Sequence, residues 1–387
     1  MSFKKSTRAS MLCFILLNTS SLLSTSSLLS TSSLLSTSSL LSTSSLLSTS
    51  NVQADSALWL SYLTPPEKWP QKPALAKQDI LPLPNAIKVD NGLAELGRRL
   101  FHAPSLSKTG DISCASCHRP SVGFSDPIQV SVGINGRKGH RNSPSLLNVD
   151  LWDVLFWDGR ATELHIQATD PLTHPLEMGA TPKHAVEQVH KLFALSQAWQ
   201  KAYPNKKVNW PDMALALAEF QKTLRGPDTV FDLFYRYIEN QDYAKAKTTL
   251  NDAQLLGMHV YRTKAGCVNC HHGELFSDQE FHNTGLHYFG RRFEDLGTYE
   301  LTNNPADMGK FRTPMLRHLT QTSPWMHNGL FDDLTGIVRM YSHGGARPRR
   351  PKDLDSMLAF PITSDILVPF KLSKEEESAL LEFLKIL

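Results

Sequence analysis

The chain has 387 residues, a formal net charge of +3, 20% charged and 41% hydrophobic residues. A balance this even gives no nucleic-acid footprint and no acidic disordered tail, so nucleic acid is excluded as a partner. Of five cysteines, four fall in two short motifs and only Cys13 lies outside them, which leaves no thiol for a structural disulfide in a mature chain.

Residues 1–54 read as a signal and low-complexity leader. Lys4, Lys5 and Arg8 precede an apolar run from Met11 to Leu17, the order of an export signal, and that run is too short to span a bilayer. Residues 19–48 are five tandem copies of TSSLLS, a period that fits neither helix nor strand. They read either as a bland expanded repeat or as a long signal or tether. Val52-Gln-Ala54 resembles a small-residue cleavage site, so the mature chain is expected from near Asp55, in the periplasm or otherwise exported, with surface association open. Cys13 follows Met11 and Leu12 rather than the small residues of a lipid-attachment site.

The remaining residues suffice for two domains, expected at 55–225 and 226–387. Gly92 to Leu100 places Leu93, Leu96 and Leu100 on one helical face and leads toward Cys114-Ala-Ser-Cys117-His118. Met213, Leu215, Leu217 and Phe220 predict a buried helix around 211–225, halted near Gly226-Pro227. Residues 252–262 predict a helix that carries the chain into Cys267-Val-Asn-Cys270-His271, and Lys374 to Leu387 an amphipathic closing helix. Strand signals are few. The expected class is mainly α, two cytochrome-c-like haem domains with long ordered loops.

A Cys pair alone fits half a zinc site or a redox dithiol. The histidine directly after the second cysteine gives the pattern of c-type haem attachment: two thioether links, with the adjacent imidazole as proximal iron ligand. Two such motifs predict two haems, with Cys114, Cys117, His118, Cys267, Cys270 and His271 holding them. One tetrathiolate zinc site built from both pairs is the alternative. The other histidines, among them His259, His272, His282, His287, His318, His327 and His343, match no compact zinc spacing.

In the order CASCH, RNSPSLLN, FWDGR, PLEMG, CVNCH, FRTP, SPWMHNG, the chain from about residue 90 to its end resembles the bacterial dihaem cytochrome c peroxidases and their relative MauG. That resemblance implies two folded halves, each with one c-type haem, and a calcium ion between them. It implies that His118 serves a peroxidatic haem and His271 an electron-transfer haem, that Trp157 stands between them, and that Glu177 is the distal carboxylate with Gln167 and Pro171 as neighbours. Asn142, Thr322 and Pro324 fall on the calcium positions, the last two through backbone carbonyls.

Two departures bear on function. Ordinary members carry a histidine about sixteen residues after the first proximal histidine, which blocks the resting iron; here the position is Ile134, and His140 is the nearest substitute. Ordinary members also supply a methionine to the second haem, where the segment LTGIVRMY places Tyr341, as MauG has a tyrosine; Met340 is about 100° away on a helix. A phenolate favours oxidised iron. Within the family the segment from TNNPADMG to YSHGG looks closest to the MbnH-like subgroup. The resemblance therefore implies a hydrogen-peroxide-dependent oxidoreductase. On the first reading it oxidises an exported protein, with an MbnP-like copper-associated one as the candidate, converting a tryptophan to kynurenine through a high-valent bis-haem state. On the other it is a dihaem peroxidase drawing electrons from a small cytochrome or copper protein.

Overall fold

The computed structural model describes residues 56–352 and 359–387. The leader, with Cys13, the TSSLLS tract and the cleavage site, lies outside the described residues. Among the described residues the fold is mainly helical, with one small antiparallel sheet. Its strands, β1 (Phe281–His282) and β2 (Phe311–Arg312), pair Phe281 with Arg312 and His282 with Phe311. No helix among these residues is long and apolar enough to cross a membrane.

The helices expected from periodicity are present: α1 (Asn91–Phe101), α2 (Trp210–Lys222), α3 (Asp252–Arg262) and, after α4 (Leu334–Ser342), the closing α5 (Lys374–Leu384). Each of these four starts on a cap written in the sequence. The Asp90 carboxylate accepts from the Gly92 and Leu93 N–H groups, and Asn209, Asn251 and Ser373 form reciprocal boxes with Asp212, Gln254 and Glu376. Such caps satisfy N–H groups that the first helical turn leaves without partners.

One architecture is used twice. α1, which precedes the first Cys motif, lies against α2, and α3, which precedes the second, lies against α5. A Cβ built on Gly97 would stand 1.9 Å from the Ala216 carbonyl oxygen and 2.8 Å from Phe220 Cβ; one on Gly257 would stand 2.0 Å from the Ala379 carbonyl oxygen and 2.7 Å from Phe383 Cβ. The opposing helix therefore offers Ala-x-x-x-Phe both times, and only a residue without a side chain lets the backbones meet so closely. The later loops repeat too. Asn148 N–H donates to Leu224 O beyond α2 (2.7 Å), and His318 N–H to Leu387 O beyond α5 (2.6 Å). Both residues are left-handed, at φ 57° and 55°.

Two hydrophobic clusters follow from this arrangement. The first joins Leu96, Leu100 and Phe101 of α1 to Met213, Leu217 and Phe220 of α2. The second joins Met258 and Tyr261 of α3 to Leu380 and Phe383 of α5, and takes in Trp59, Tyr62 and Trp69 from the start of the described chain. Buried charge holds that leading segment there. Arg317 and Asp232, both fully buried, pair at 2.7 Å; Arg317 Nη2 also donates to Leu81 O at 2.9 Å, and Asp232 accepts from Leu83 N–H at 2.9 Å. Removing one partner of such a pair leaves an uncompensated charge and costs about 3–5 kcal/mol.

Gly257→Val should push α3 off α5. The expected loss of stability is about 3 kcal/mol, the upper range for overpacking, read as a lower urea midpoint. Gly139→Ala is the control, since its Cβ finds nothing nearer than 4.0 Å, and it should stay within about 0.5 kcal/mol of the parent. Equal midpoints for the two variants would contradict the crossing.

Candidate haem centres

The first Cys motif is a single turn, Cys114–Cys117, held by a Ser113–Ser116 capping box; the second begins a tight turn at Cys267–Asn269. His118 Nδ1 lies 3.0 Å from Phe124 O, and His271 Nδ1 lies 3.0 Å from Phe276 O. Both phenylalanines are left-handed, at φ 55° and 52°. The resemblance between the loops thus reaches the hydrogen bond that orients each ring. With Nδ1–H donated, Nε2 keeps its lone pair for a metal. Burial holds both imidazoles below the usual histidine range, so they are neutral at pH 7.

All four thiols are free, and burial pushes Cys114, Cys267 and Cys270 up to about 12. Protonated thiols in apolar walls suit thioether attachment better than thiolate ligation of an ion. Among the described residues, the potential ligating atoms that converge in threes are those of Cys270, Asp278 and His282. The two cysteine pairs do not meet, which disposes of the shared tetrathiolate zinc site.

Near the first motif, whose Cys114 and Cys117 feel the charge of Glu177, the loop bearing Ile134 is clamped to the turn bearing Glu177. Ile134 N–H donates to Glu177 O at 2.8 Å, and a Cβ on Gly133 would stand 2.0 Å from Leu176 O. Ile134 is buried; His140 is exposed. The Glu177 side chain keeps 42% of its exposure, yet the protein around it lifts its carboxyl above the usual range, with burial the largest cause; His174 opposes the rise, Asp170 adds to it and Arg160 opposes it. Gln167 ends the short helix Leu164–Gln167, and Pro171 opens the next, Asp170–Thr173, its carbonyl accepting from Met178 N–H at 3.2 Å.

The second motif lines a cavity of about 440 Å³ that also brings together Trp157, Tyr341, Asn142, Thr322 and Pro324. Tyr341, and not Met340, faces it from α4. Burial pushes the Tyr341 phenol well up, and the Cys270 and Cys267 sulfurs add to this. An uncompensated phenolate is therefore disfavoured there, and a cation would be needed to hold one. Trp157 is fixed by two hydrogen bonds, its indole N–H donating to Asn142 O at 2.9 Å and its carbonyl accepting from Arg312 N–H at 2.8 Å, and Asp158 beside it is held by Arg141 and Arg160.

Arg312 is a residue that sequence reasoning did not single out beyond its motif. Its guanidinium lies 3.3 Å over Trp152, Nε donates to Phe156 O at 3.1 Å, and buried Nη1 has no hydrogen-bond partner among the described residues. Burial alone pushes it down to about 9. Arginine keeps its charge in proteins, so the position calls for an anion at the cavity wall, and a haem propionate is one. Two neutral imidazoles with free Nε2, two thiol pairs and this cation form a donor set that fits c-type haem. The Asp278–His282 pair, at 2.8 Å, is another feature visible only in three dimensions.

Fold and site together define a haem-dependent oxidoreductase of the peroxidase type. Residues 91–240 match the family model of di-haem cytochrome c peroxidase. The chain is 31% identical over 342 residues to cytochrome-c peroxidase IdrP1 of Pseudomonas sp. (strain SCT), covering 81% of this chain and 86% of that protein. It is 32% identical over 320 residues to methylamine utilization protein MauG of Methylorubrum extorquens, covering 82% and 84%. The crystal structure of a MauG-like protein associated with microbial copper homeostasis is similar with a TM-score of 0.67 and 28% identity, over 82% of this chain and 95% of that one. The chain belongs to the di-haem cytochrome c peroxidase and MauG family, and membership implies two covalently bound c-type haems.

Tyr341→Phe should leave both haems covalently attached while changing the low-spin signal of the second in electron paramagnetic resonance. Identical spectra for parent and variant would remove Tyr341 from the ligand set.

Proposed function

We propose that the enzyme reduces hydrogen peroxide at the His118 site with electrons delivered from outside by a small exported cytochrome or copper protein. The observation that carries this reading is the clamp between the Ile134 loop and the Glu177 turn, which sets a carboxylate near the first Cys motif and buries Ile134, which cannot ligate iron, beside it, while His140 stays exposed. The relatives named cytochrome-c peroxidase and cytochrome c551 peroxidase support it. When bound, the haems supply the iron chemistry that cleaves the O–O bond and the path for electrons. His118 and His271 would be the proximal ligands, with Tyr341 the second ligand on the His271 side.

The protein's own work is proton handling and positioning. One peroxide oxygen must lose a proton and the departing one must gain one. Glu177 can take and return the same proton, as acid-base catalysis requires of a group within hydrogen-bond reach. Its raised carboxyl makes it the stronger base and eases the first transfer, the uptake of the proton. Pro171 borders this turn through its carbonyl, which accepts from Met178 N–H, and Gln167 ends the short helix before it; Trp157, locked between Asn142 and Arg312, would couple the two centres. Asn142, Thr322 and Pro324 share one cavity and offer oxygen atoms of the kind calcium needs. In this reading residues 55–225 and 226–387 are two haem domains of one exported enzyme.

A second reading rests on Tyr341. A hard phenolate beside His271 stabilises oxidised iron and makes the second centre a poor acceptor for electrons from a donor protein. It suits the slow oxidation of an exported partner, with a partner tryptophan taken to kynurenine, as in the MbnH-like subgroup. The likeness to the MauG-like protein associated with copper homeostasis favours a copper-associated partner.

Turnover with peroxide and a reduced small cytochrome c, beside mass spectrometry of a co-expressed exported partner, separates the two. Rapid cytochrome oxidation with no mass change in the partner supports the peroxidase, and added oxygen on a partner tryptophan with negligible cytochrome oxidation supports the second reading. In either case Glu177→Gln should slow the reaction with peroxide by about 10²-fold at unchanged haem content. An unchanged rate would show that another group moves the proton.

A further inference from the structure

The turn that carries Glu177 also carries His174. The His174 Nδ1 atom lies 3.6 Å from Glu177 Oε1 on one side and 3.4 Å from the Leu176 backbone N on the other. One ring nitrogen therefore faces both an acceptor and a donor. A neutral ring, its lone pair on Nδ1, accepts from Leu176 N–H; a protonated ring presents Nδ1–H to the carboxylate, directly or through one water. Both protonation states have a partner without any rearrangement of the backbone.

That backbone is tightly specified. His174 closes the short helix Asp170–Thr173, donating its N–H to Asp170 O at 2.9 Å, and its own carbonyl accepts from Glu177 N–H and Gly179 N–H, each at 3.0 Å. The separation of imidazole and carboxylate is thus set by the turn. The ring keeps 36% of its exposure, enough to exchange protons with water. The other charged groups facing the pair are largely matched. Asp170 pairs with Arg160 at 2.9 Å, and Arg160 also holds Asp158 at 3.0 Å. Arg137 donates to Pro175 O at 3.3 Å, and the Lys108 side chain passes near Gly179. Among these groups His174 is the one that offers a ring nitrogen to the carboxylate, at 3.6 Å.

We propose that His174 is the positioning and proton-relay partner of Glu177, a role that rests on Glu177 being the distal acid-base group. Reducing one peroxide to two waters consumes two electrons, from the external one-electron donor or the partner protein, and two protons. The proton that Glu177 removes from one peroxide oxygen it returns to the departing one, so the carboxylate ends as it began. The two protons consumed must enter from solvent. The His174 imidazolium passes its Nδ1 proton to the carboxylate, Glu177 hands it to the product oxygen, and water reprotonates the imidazole. The same cation lowers the affinity of Glu177 for its proton, opposing the effect of burial.

The test uses the holoenzyme with His174→Ala and His174→Gln. Two pH profiles are measured: peroxide turnover, and equilibrium binding of cyanide, whose uptake as the neutral acid also needs a distal base. Loss of the cation should raise the Glu177 pKa and move the acid limb of both profiles to higher pH by about 0.5–1 unit, the low end for an opposite charge at this range because the pair is partly exposed. His174→Gln keeps a hydrogen-bonding shape without a titrating proton, so it should show the same shift, and it decides the matter if His174→Ala does not assemble. Unshifted limbs in both profiles would overturn the relay. A Glu177→Gln enzyme at full rate would remove the distal assignment and the relay together, whereas a slow Glu177→Gln enzyme beside unshifted His174 variants would remove the relay alone.

Discussion

Each Cys motif hangs from a crossing of two helices that meet backbone to backbone at a single glycine. Gly97 against Ala216 and Gly257 against Ala379 set how closely α1 approaches α2 and α3 approaches α5. The ends of α1 and α3 determine where the loops carrying Cys114 and Cys267 begin. A side chain at either glycine would be felt at the sulfurs as well as in the core, because close-packed interiors transmit strain. The apolar clusters grow outward from these crossings.

The second layer of control is polar. After each Cys motif a left-handed phenylalanine, Phe124 or Phe276, turns its carbonyl onto the histidine of that motif, His118 or His271, and leaves Nε2 as the ring nitrogen open to a metal. Around Trp157 the constraint is electrostatic. Arg141 donates to Asp295 through Nε and Nη2, at 2.7 and 2.8 Å, and also to Asp158, so the FWDGR turn is pinned to the segment around Asp295. Burial works against the charge of Asp295, and Arg141 beside it more than offsets that, holding its carboxyl below the usual range. Charge-assisted, forked bonds of this kind add direction as well as energy.

Because the scaffold is repeated, the difference between the two centres lies in a few side chains laid over it. On the first, Ile134 and Glu177 arrive together through one backbone hydrogen bond, with His174 behind the carboxylate. On the second, Tyr341 faces the cavity from α4, and Arg312 supplies a buried cation. Like cores with unlike covers are what an enzyme needs if one centre is to meet peroxide and the other is to exchange electrons.

Much of this was legible in the chain alone. The helices 92–100, 211–225 and 252–262 and the closing helix were written in apolar spacing and caps, and the haem chemistry in two Cys-x-x-Cys-His runs, because those signals act over a few residues. That Tyr341 and Met340 point about 100° apart was legible too, since a helix turns by a fixed angle per residue, and the structure shows Tyr341 as the one that lines the cavity. Tertiary structure decided what depends on contacts between distant segments. It showed that Trp59, Tyr62 and Trp69 pack with α3 and α5, that Asp278 and His282 gather beside Cys270, that Arg312 lies over Trp152 with its buried Nη1 unpartnered among the described residues, and that the Ile134 loop is bonded to the Glu177 turn. Periodicity and spacing carry no record of such pairings, because a contact across the fold is set by where two backbones meet and not by the residues that lie between them in the chain.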